Sequence, residues 1–95
     1  MAAYVIVEID VHDPEQYEAY KGQAEQTVTA FGGSYIVRGG RAETLEGEGA
    51  PKRVVVLQFD SFENAKRWWS SAEYAPAKAL RQRTATTRMI VVEGR

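Results

Sequence analysis

The sequence predicts one α+β domain in which the elements follow the order strand, helix, strand, strand, helix, strand. Its length of 95 residues suits a single domain. Segments with alternating, β-branched residues occur near both ends and in the middle of the chain. Two segments with apolar residues at spacings of three and four lie between them. Right-handed crossovers then give an antiparallel sheet of four strands in the order 4-1-3-2, with both helices on one face.

Residues 3–10 predict the first strand because they alternate and are rich in β-branched side chains. The two faces of this strand carry Val5, Val7 and Ile9 on one side and Tyr4, Ile6, Glu8 and Asp10 on the other.

The first helix has clear start and stop signals. Asp13 suits the N-cap, Pro14 the first helical position, and Gln16 the place of a capping-box partner. Glycine takes the left-handed conformation at low cost, so Gly32-Gly33 ends the helix. Its apolar stripe consists of Tyr17, Tyr20, Ala24, Val28 and Phe31.

A long hairpin follows, with strands predicted over residues 34–38 and 52–60. The loop between them opens with Gly39-Gly40, is polar, and is expected to be mobile at its tip. Ser61 is the predicted N-cap of the second helix, and Pro76 interrupts helix at the residue before it. A short helix over 76–83 and a last strand over 88–93 complete a ferredoxin-like βαββαβ arrangement. The predicted buried stripe of the second helix is Phe62, Ala65, Trp68, Trp69 and Ala72.

Composition narrows the classes of function. Twelve basic and 13 acidic residues give a net charge of −1, which favours neither nucleic acid nor a membrane surface as a partner. No apolar segment approaches the roughly 20 residues that span a bilayer. The start, Met1-Ala2-Ala3, lacks the basic residues of a signal peptide. We therefore expect a cytoplasmic protein.

Motifs for common cofactors and catalytic groups are absent. The chain has no cysteine and one histidine, so we predict neither thiol chemistry nor a metal site. The Gly32-Gly33 and Gly39-Gly40 pairs do not form a dinucleotide or phosphate fingerprint, and no nucleophile elbow is present. We expect no bound cofactor.

Apolar residues occupy both faces of the predicted sheet, although helices can cover only one. A sheet with one face in water should alternate more cleanly than this. We predict a homodimer in which two copies pack these open faces together, since burial of apolar surface stabilises by roughly 25 cal/mol per Å². The alternative is a monomer with an apolar ligand-binding face. The second face carries Tyr4, Ile6, Val54 and Val56.

Polar residues that could carry chemistry are expected at one pole of the domain, where the first strand ends and the hairpin loop begins. Guanidinium groups beside carboxylates and an imidazole suit a small carboxylate or phosphate. In this hypothesis Arg38 anchors an anion, and His12 or Glu8 moves a proton. Tyr20, Tyr35, Trp68, Tyr74 and Arg81 would line the substrate pocket. The full polar set is Glu8, Asp10, His12, Asp13, Arg38, Arg53, Arg81, Arg83 and Arg88.

Each of these residues also has a structural interpretation. Glu8 and Arg38 could form an ion pair with each other or across the dimer, and His12 could be a solvated loop residue. Trp68 and the tyrosines suit the core or its edge. Arg81 and Arg83 could be solvated charge at a helix end.

Several ordered features together resemble the family known as domain of unknown function 1330, found in short bacterial proteins. They extend over nearly the whole chain. The resemblance implies a dimeric α+β barrel, and its wider superfamily includes cofactor-independent monooxygenases, haem-degrading enzymes, cyclases, isomerases and ligand-sensing domains. It assigns no reaction. The features are Asp13-Pro14-Glu15 with Tyr17 and Tyr20, Phe31-Gly32-Gly33, Arg38-Gly39-Gly40, Leu45-Glu46-Gly47, Val54-Val55-Val56 with Phe59, Ala65 with Trp68, and Glu73-Tyr74 with Arg81.

Three functions stay open at the level of sequence. The first is a cofactor-independent enzyme of the monooxygenase, cyclase or isomerase type, acting on a small organic acid or aromatic compound. The second is a module that binds or senses a small-molecule ligand without converting it. The third is a structural dimer with no pocket.

Overall fold

A computed structural model describes all residues from Met1 to Arg95. It contains four strands and three helices. In chain order the elements are β1 (Ala3–Val11), α1 (Pro14–Ala30), β2 (Ser34–Arg38), β3 (Arg53–Phe59), α2 (Phe62–Trp69), α3 (Ala75–Thr84) and β4 (Ala85–Glu93).

The strands form one antiparallel sheet in the order β2-β3-β1-β4, which is the predicted order 4-1-3-2 written from the other edge. Val7 of β1 lies between Val55 of β3 and Met89 of β4, which fixes the register. The predicted α+β class and ferredoxin-like topology are confirmed.

The core lies between the helices and one face of the sheet. On β1 every second residue from Ala3 to Ile9 is buried, whereas Ile6 and Glu8 are exposed. This alternation follows from the period of two in a strand. Trp68 is the largest fully buried side chain, and its ring packs 4.2 Å from that of Tyr74.

Local capping explains where α1 begins and ends. The Asp13 carboxylate accepts a hydrogen bond from the backbone N–H of Gln16 at 3.2 Å, as an N-cap does. Pro14 occupies the first turn. At the other end Gly32 has a φ of +75°, and the N–H of Gly33 donates to the Val28 carbonyl at 2.8 Å. The backbone therefore turns sharply into β2.

Two predictions about the last third of the chain are wrong. Trp69 is 44% exposed, and Ala72 is exposed beyond the end of α2, so neither belongs to the buried stripe of this helix. The last strand begins at Ala85 instead of Arg88. The first residues of β4 pair with the end of β1. Just before them, the carbonyl of Thr84 accepts hydrogen bonds from the N–H groups of His12 and Asp13.

The other face of the sheet is open in the single chain. It carries exposed apolar side chains at Ile6, Val37, Ile90 and Val92. None of the helices combines the length and the apolar character that a bilayer crossing needs.

Glycine substitutions test the tightness of the core. A Cβ on Gly33 would lie 2.6 Å from the Phe59 ring and 2.9 Å from Val28 Cγ1, whereas a Cβ on Gly22 in α1 meets nothing within 4 Å. We expect Gly33→Ala to lower the free energy of unfolding by about 1–3 kcal/mol through overpacking. Gly22→Ala should raise it by about 0.5–1 kcal/mol, since alanine favours helix. Urea unfolding measures both, and equal effects would contradict this packing.

Candidate functional site

A pocket with tyrosine and arginine walls lies between the sheet and α1. We name it the Tyr–Arg pocket after its polar residues Tyr17, Tyr20, Tyr35, Arg38 and Arg53. Its cavity of about 20 Å³ has room for roughly one water molecule. Lys21, apolar residues of β1 and β3, Trp68 and Met89 complete the lining.

An irregularity in β2 brings Tyr35 and Arg38 to the same face of the sheet. Regular alternation would place residues three apart on opposite faces. Here the register shifts after Tyr35, so that Tyr35 opposes Leu57 and Arg38 opposes Val55, both of which are buried against the helices. A bulge of this kind redirects the side chains that follow it. The Arg38 guanidinium consequently lies 4.2 Å from the centre of the Tyr35 ring.

Two buried tyrosines form a hydrogen-bonded pair beside the pocket. The hydroxyl oxygens of Tyr20 and Tyr74 are 2.8 Å apart. Burial raises the pKa of both phenols, and for Tyr20 the neighbouring Tyr74 raises the pKa further. Both hydroxyls are therefore neutral near pH 7 and keep a proton to donate.

Arg53 is the central cation of the pocket. Its Nε is buried and has no hydrogen-bond partner. A Cβ on Gly39 would lie 2.6 Å from Arg53 Cζ, so the guanidinium occupies space that only glycine leaves free. Burial raises the pKa of Tyr17, while the positive charges of Arg53, Arg81 and Arg38 oppose that rise.

The pocket lining contains three cations and no carboxylate or imidazole. Arg38 forms an ion pair with Glu25 at 2.6 Å, and this carboxylate lies outside the lining. The side chains of Lys21 and Arg38 are 31% and 36% exposed, so both are partly solvated. Arg53 has no ion-pair partner. A half-buried cation whose buried Nε has no partner attracts the negative oxygen of a ligand.

The residues of the predicted polar pole divide between the two faces of the sheet and do not line one pocket. Glu8 and Arg88 oppose each other on the open face, without forming an ion pair. His12 is exposed at the end of β1, where its Nε2 lies 2.6 Å from Thr86 Oγ1. Neither His12 nor Glu8 lines the Tyr–Arg pocket. The ion pair suggested between Glu8 and Arg38 is also absent, because Arg38 binds Glu25 instead.

The structure brings together several residues that the sequence suggested for a pocket. Tyr20, Tyr35, Arg38 and Trp68 line one cavity, and Tyr74 contacts it through Tyr20. Trp68 is also a core residue.

Arg81 departs from the structural interpretation as solvated charge. It is only 4% exposed, and its positive charge opposes the rise in the pKa of Tyr20 and Tyr74. Arg81 does not line the Tyr–Arg pocket.

Sequence reasoning missed Tyr17 as a member of the site. It placed this residue only in the apolar stripe of α1. The spacing of three between Tyr17 and Tyr20 was the available signal, since such neighbours share a helix face. Their rings lie 5.3 Å apart. No group of three or more histidine, aspartate or glutamate side chains is placed to hold a metal ion.

The fold and the pocket define a small ferredoxin-like α+β domain whose helices cover one sheet face. The chain belongs to the family described as a domain of unknown function, DUF1330, whose model matches residues 2–95. None of the curated proteins matches the sequence.

Solved structures share this fold at low sequence identity. A protein of unknown function from Rhodopseudomonas palustris has a TM-score of 0.80 and 17% identity, covering 99% of this chain and 82% of its own. A dimeric ferredoxin-like protein of unknown function from Thermobifida fusca has a TM-score of 0.66 and 14% identity, covering 99% and 92%. SnoaB, a cofactor-independent oxygenase from Streptomyces nogalater, has a TM-score of 0.65 and 13% identity, covering 99% and 93%.

Alkaline pH should destabilise the fold through its buried tyrosines. The pKa of Tyr35 is about 12 in the folded chain, against 10.0 for a free phenol, because burial disfavours the phenolate. The stabilising contribution of the neutral form is therefore complete below pH 10 and is lost as the pH rises from 10 to 12. Tyr35→Phe should make the fall in unfolding free energy over this range shallower. Urea unfolding at several pH values checks it, and an unchanged slope in the variant would contradict the assignment.

Proposed function

We propose that the Tyr–Arg pocket binds the anionic oxygen of a small organic acid, phenol or enol, and that the protein converts this compound without a metal or bound cofactor. The observation that carries the proposal is Arg53, whose buried Nε has no partner in a pocket that lacks any carboxylate. The anionic oxygen would occupy the cavity of about 20 Å³, and entry of the carbon skeleton would displace Arg38 and Lys21.

The chemistry of the lining suits an enolate or phenolate. Cyclisation and isomerisation of carbonyl compounds proceed through an enolate, and oxygenation without a cofactor needs an electron-rich carbanion or phenolate to react with dioxygen. A guanidinium and neutral phenol hydroxyls stabilise negative charge on oxygen, as an oxyanion hole does. Arg53 would supply the charge, while Tyr17 would donate a hydrogen bond. Burial keeps Tyr17 protonated because it raises the pKa of this phenol.

The similarity to SnoaB supports this reaction class at the level of fold. That protein is described as a cofactor-independent oxygenase, at 13% identity. Fold alone does not determine function, so the argument depends on the residues of the pocket.

A non-catalytic binding or sensing module is the second candidate. It is favoured by the absence of a carboxylate or imidazole from the lining, since such groups are the usual general bases. A substrate would have to be acidic enough to ionise with the help of Arg53. Product analysis separates the two candidates, because a sensing module returns its ligand unchanged.

We also propose that the protein is a homodimer joined through the open sheet face. The exposed side chains of Ile6, Ile90 and Val92 lie on neighbouring strands of this face. Glu8 and Arg88 oppose each other beside them without an ion pair, so each is free to meet the opposite charge of a two-fold partner. Similar structures from Thermobifida fusca and Bacteroides fragilis are described as dimeric.

Arg53→Gln tests the role of the pocket. We expect it to weaken binding of 4-hydroxybenzoate by at least about tenfold, because charge-assisted hydrogen bonds contribute roughly 1.5–3 kcal/mol. Calorimetry measures the affinity, and mass spectrometry with oxygen uptake follows turnover of a panel of phenols and 1,3-diketones.

The matched control is Arg41→Gln, which removes an exposed arginine from the hairpin loop. It should leave binding unchanged. Equal affinity of the wild-type protein and a folded Arg53→Gln variant would rule out the assignment of the anion to Arg53.

Ile6→Lys tests the dimer. A lysine in the centre of the open face should shift the protein to monomers at micromolar concentration, because it places a charge in a buried apolar contact. Analytical ultracentrifugation gives the mass. Leu45→Lys is the control, since Leu45 is 93% exposed in the hairpin loop. A wild-type monomer, or an Ile6→Lys dimer of unchanged stability, would refute the proposed interface.

A further inference from the structure

A second cavity lies between α3 and the edge strand β4. It has a volume of about 300 Å³, within the range of small-molecule sites. We name it the α3–β4 cavity, and its lining residues are Trp69, Arg81, Gln82, Ala85, Thr87 and Met89.

Two residues that line this cavity each have a buried polar atom without a hydrogen-bond partner. The two atoms are Arg81 Nε and Thr87 Oγ1. Arg81 is only 4% exposed, and no carboxylate of the chain forms an ion pair with it. Buried polar groups in folded proteins are almost always paired, and buried charges nearly without exception. The residues Arg81, Thr87 and Gln82 line one cavity and carry hydrogen-bond donors that suit an anion.

An apolar groove of about 370 Å³ adjoins this cavity and shares Trp69 and Met89 with it. Its apolar lining also includes Val5, Ala65, Ile90 and Val91. The polar members of the lining are Glu63, Lys66, Arg67 and Ser70. Trp69 is held in place by Lys78, whose Nζ lies 3.9 Å from the ring centre and donates to the Trp69 carbonyl at 3.1 Å. Trp69 and Met89 thus lie where the cavity and the groove meet.

We propose that the α3–β4 cavity binds the carboxylate of an aliphatic acid, whose chain lies in the adjoining groove. A single buried guanidinium matches the single charge and the two oxygens of a carboxylate. The Thr87 hydroxyl donates the further hydrogen bond that its Oγ1 lacks in the free protein. The apolar residues of the groove match the aliphatic chain of the acid. This site shares Met89 with the Tyr–Arg pocket but none of its polar residues, and it goes beyond the function proposed for that pocket.

Octanoate is the probe, with the full chain studied by calorimetry. The wild-type protein should bind octanoate saturably, and both acetate and octanamide at least about tenfold more weakly, because each lacks one half of the recognised molecule. Thr87→Val keeps the shape of the side chain and should weaken octanoate binding severalfold. Arg81→Met should abolish it.

Arg53→Gln separates the two sites, because it should weaken 4-hydroxybenzoate binding and leave octanoate binding intact. No octanoate binding to the wild-type protein, or equal binding of octanamide, would overturn the proposal. So would unchanged affinity in Thr87→Val, which decides the matter alone if Arg81→Met fails to fold. Loss of octanoate binding in Arg53→Gln would assign this ligand to the Tyr–Arg pocket instead.

Discussion

One layer of helices can cover only one face of a sheet, and this constraint organises the whole molecule. Each strand alternates its side chains between the two faces. The face to which one side chain points therefore determines the face of every other side chain in that strand. On β1 the choice places Val5, Val7 and Ile9 under the helices and leaves Ile6 and Glu8 outside. The candidate pocket and the proposed dimer interface are therefore the two sides of the same strand.

The second constraint is the cost of burying guanidinium groups in so small a core. A chain of this length buries little more than about 60% of the surface that its unfolded form exposes. Unpaired polar atoms in such a core lower stability, since each costs about 1–3 kcal/mol when no partner compensates. Arg53 and Arg81 both retain a buried, unpartnered Nε. These two unpartnered groups lower the stability of the protein without ligand. A bound anion would supply the missing hydrogen-bond partner and so explain why they are present.

The periodicity of the sequence predicted the fold because alternation and capping act locally. The two ends of α1 are determined by the side chains and backbone preferences of Asp13, Pro14 and Gly32-Gly33. The candidate site was harder to predict than the fold, because Arg38 reaches Tyr35 only through a bulge in β2. Nothing in the five residues of β2 indicates a register shift.

Long-range packing explains the remaining errors. Arg81 stands near a helix end, where charge is usually solvated, and only the packing of α3 against α1 and β4 buries it. The early start of β4 depends on pairing with the far end of β1, a contact between residues more than 70 positions apart. Tyr17 was missed as a site residue for a local reason. Its position in the apolar stripe of α1 already gave it a structural role.

The shared strand also connects assembly to chemistry. Val7 and Ile9 form part of the floor of the Tyr–Arg pocket, while the residues between and beside them point to the open face. A partner packed on that face would hold β1 and β4 from behind and restrict their motion. The geometry around a charged oxygen must be held within about 0.5 Å for catalysis, so a rigid floor matters more to an enzyme than to a binding module. In this protein the second copy would supply that rigidity without adding a residue to the pocket.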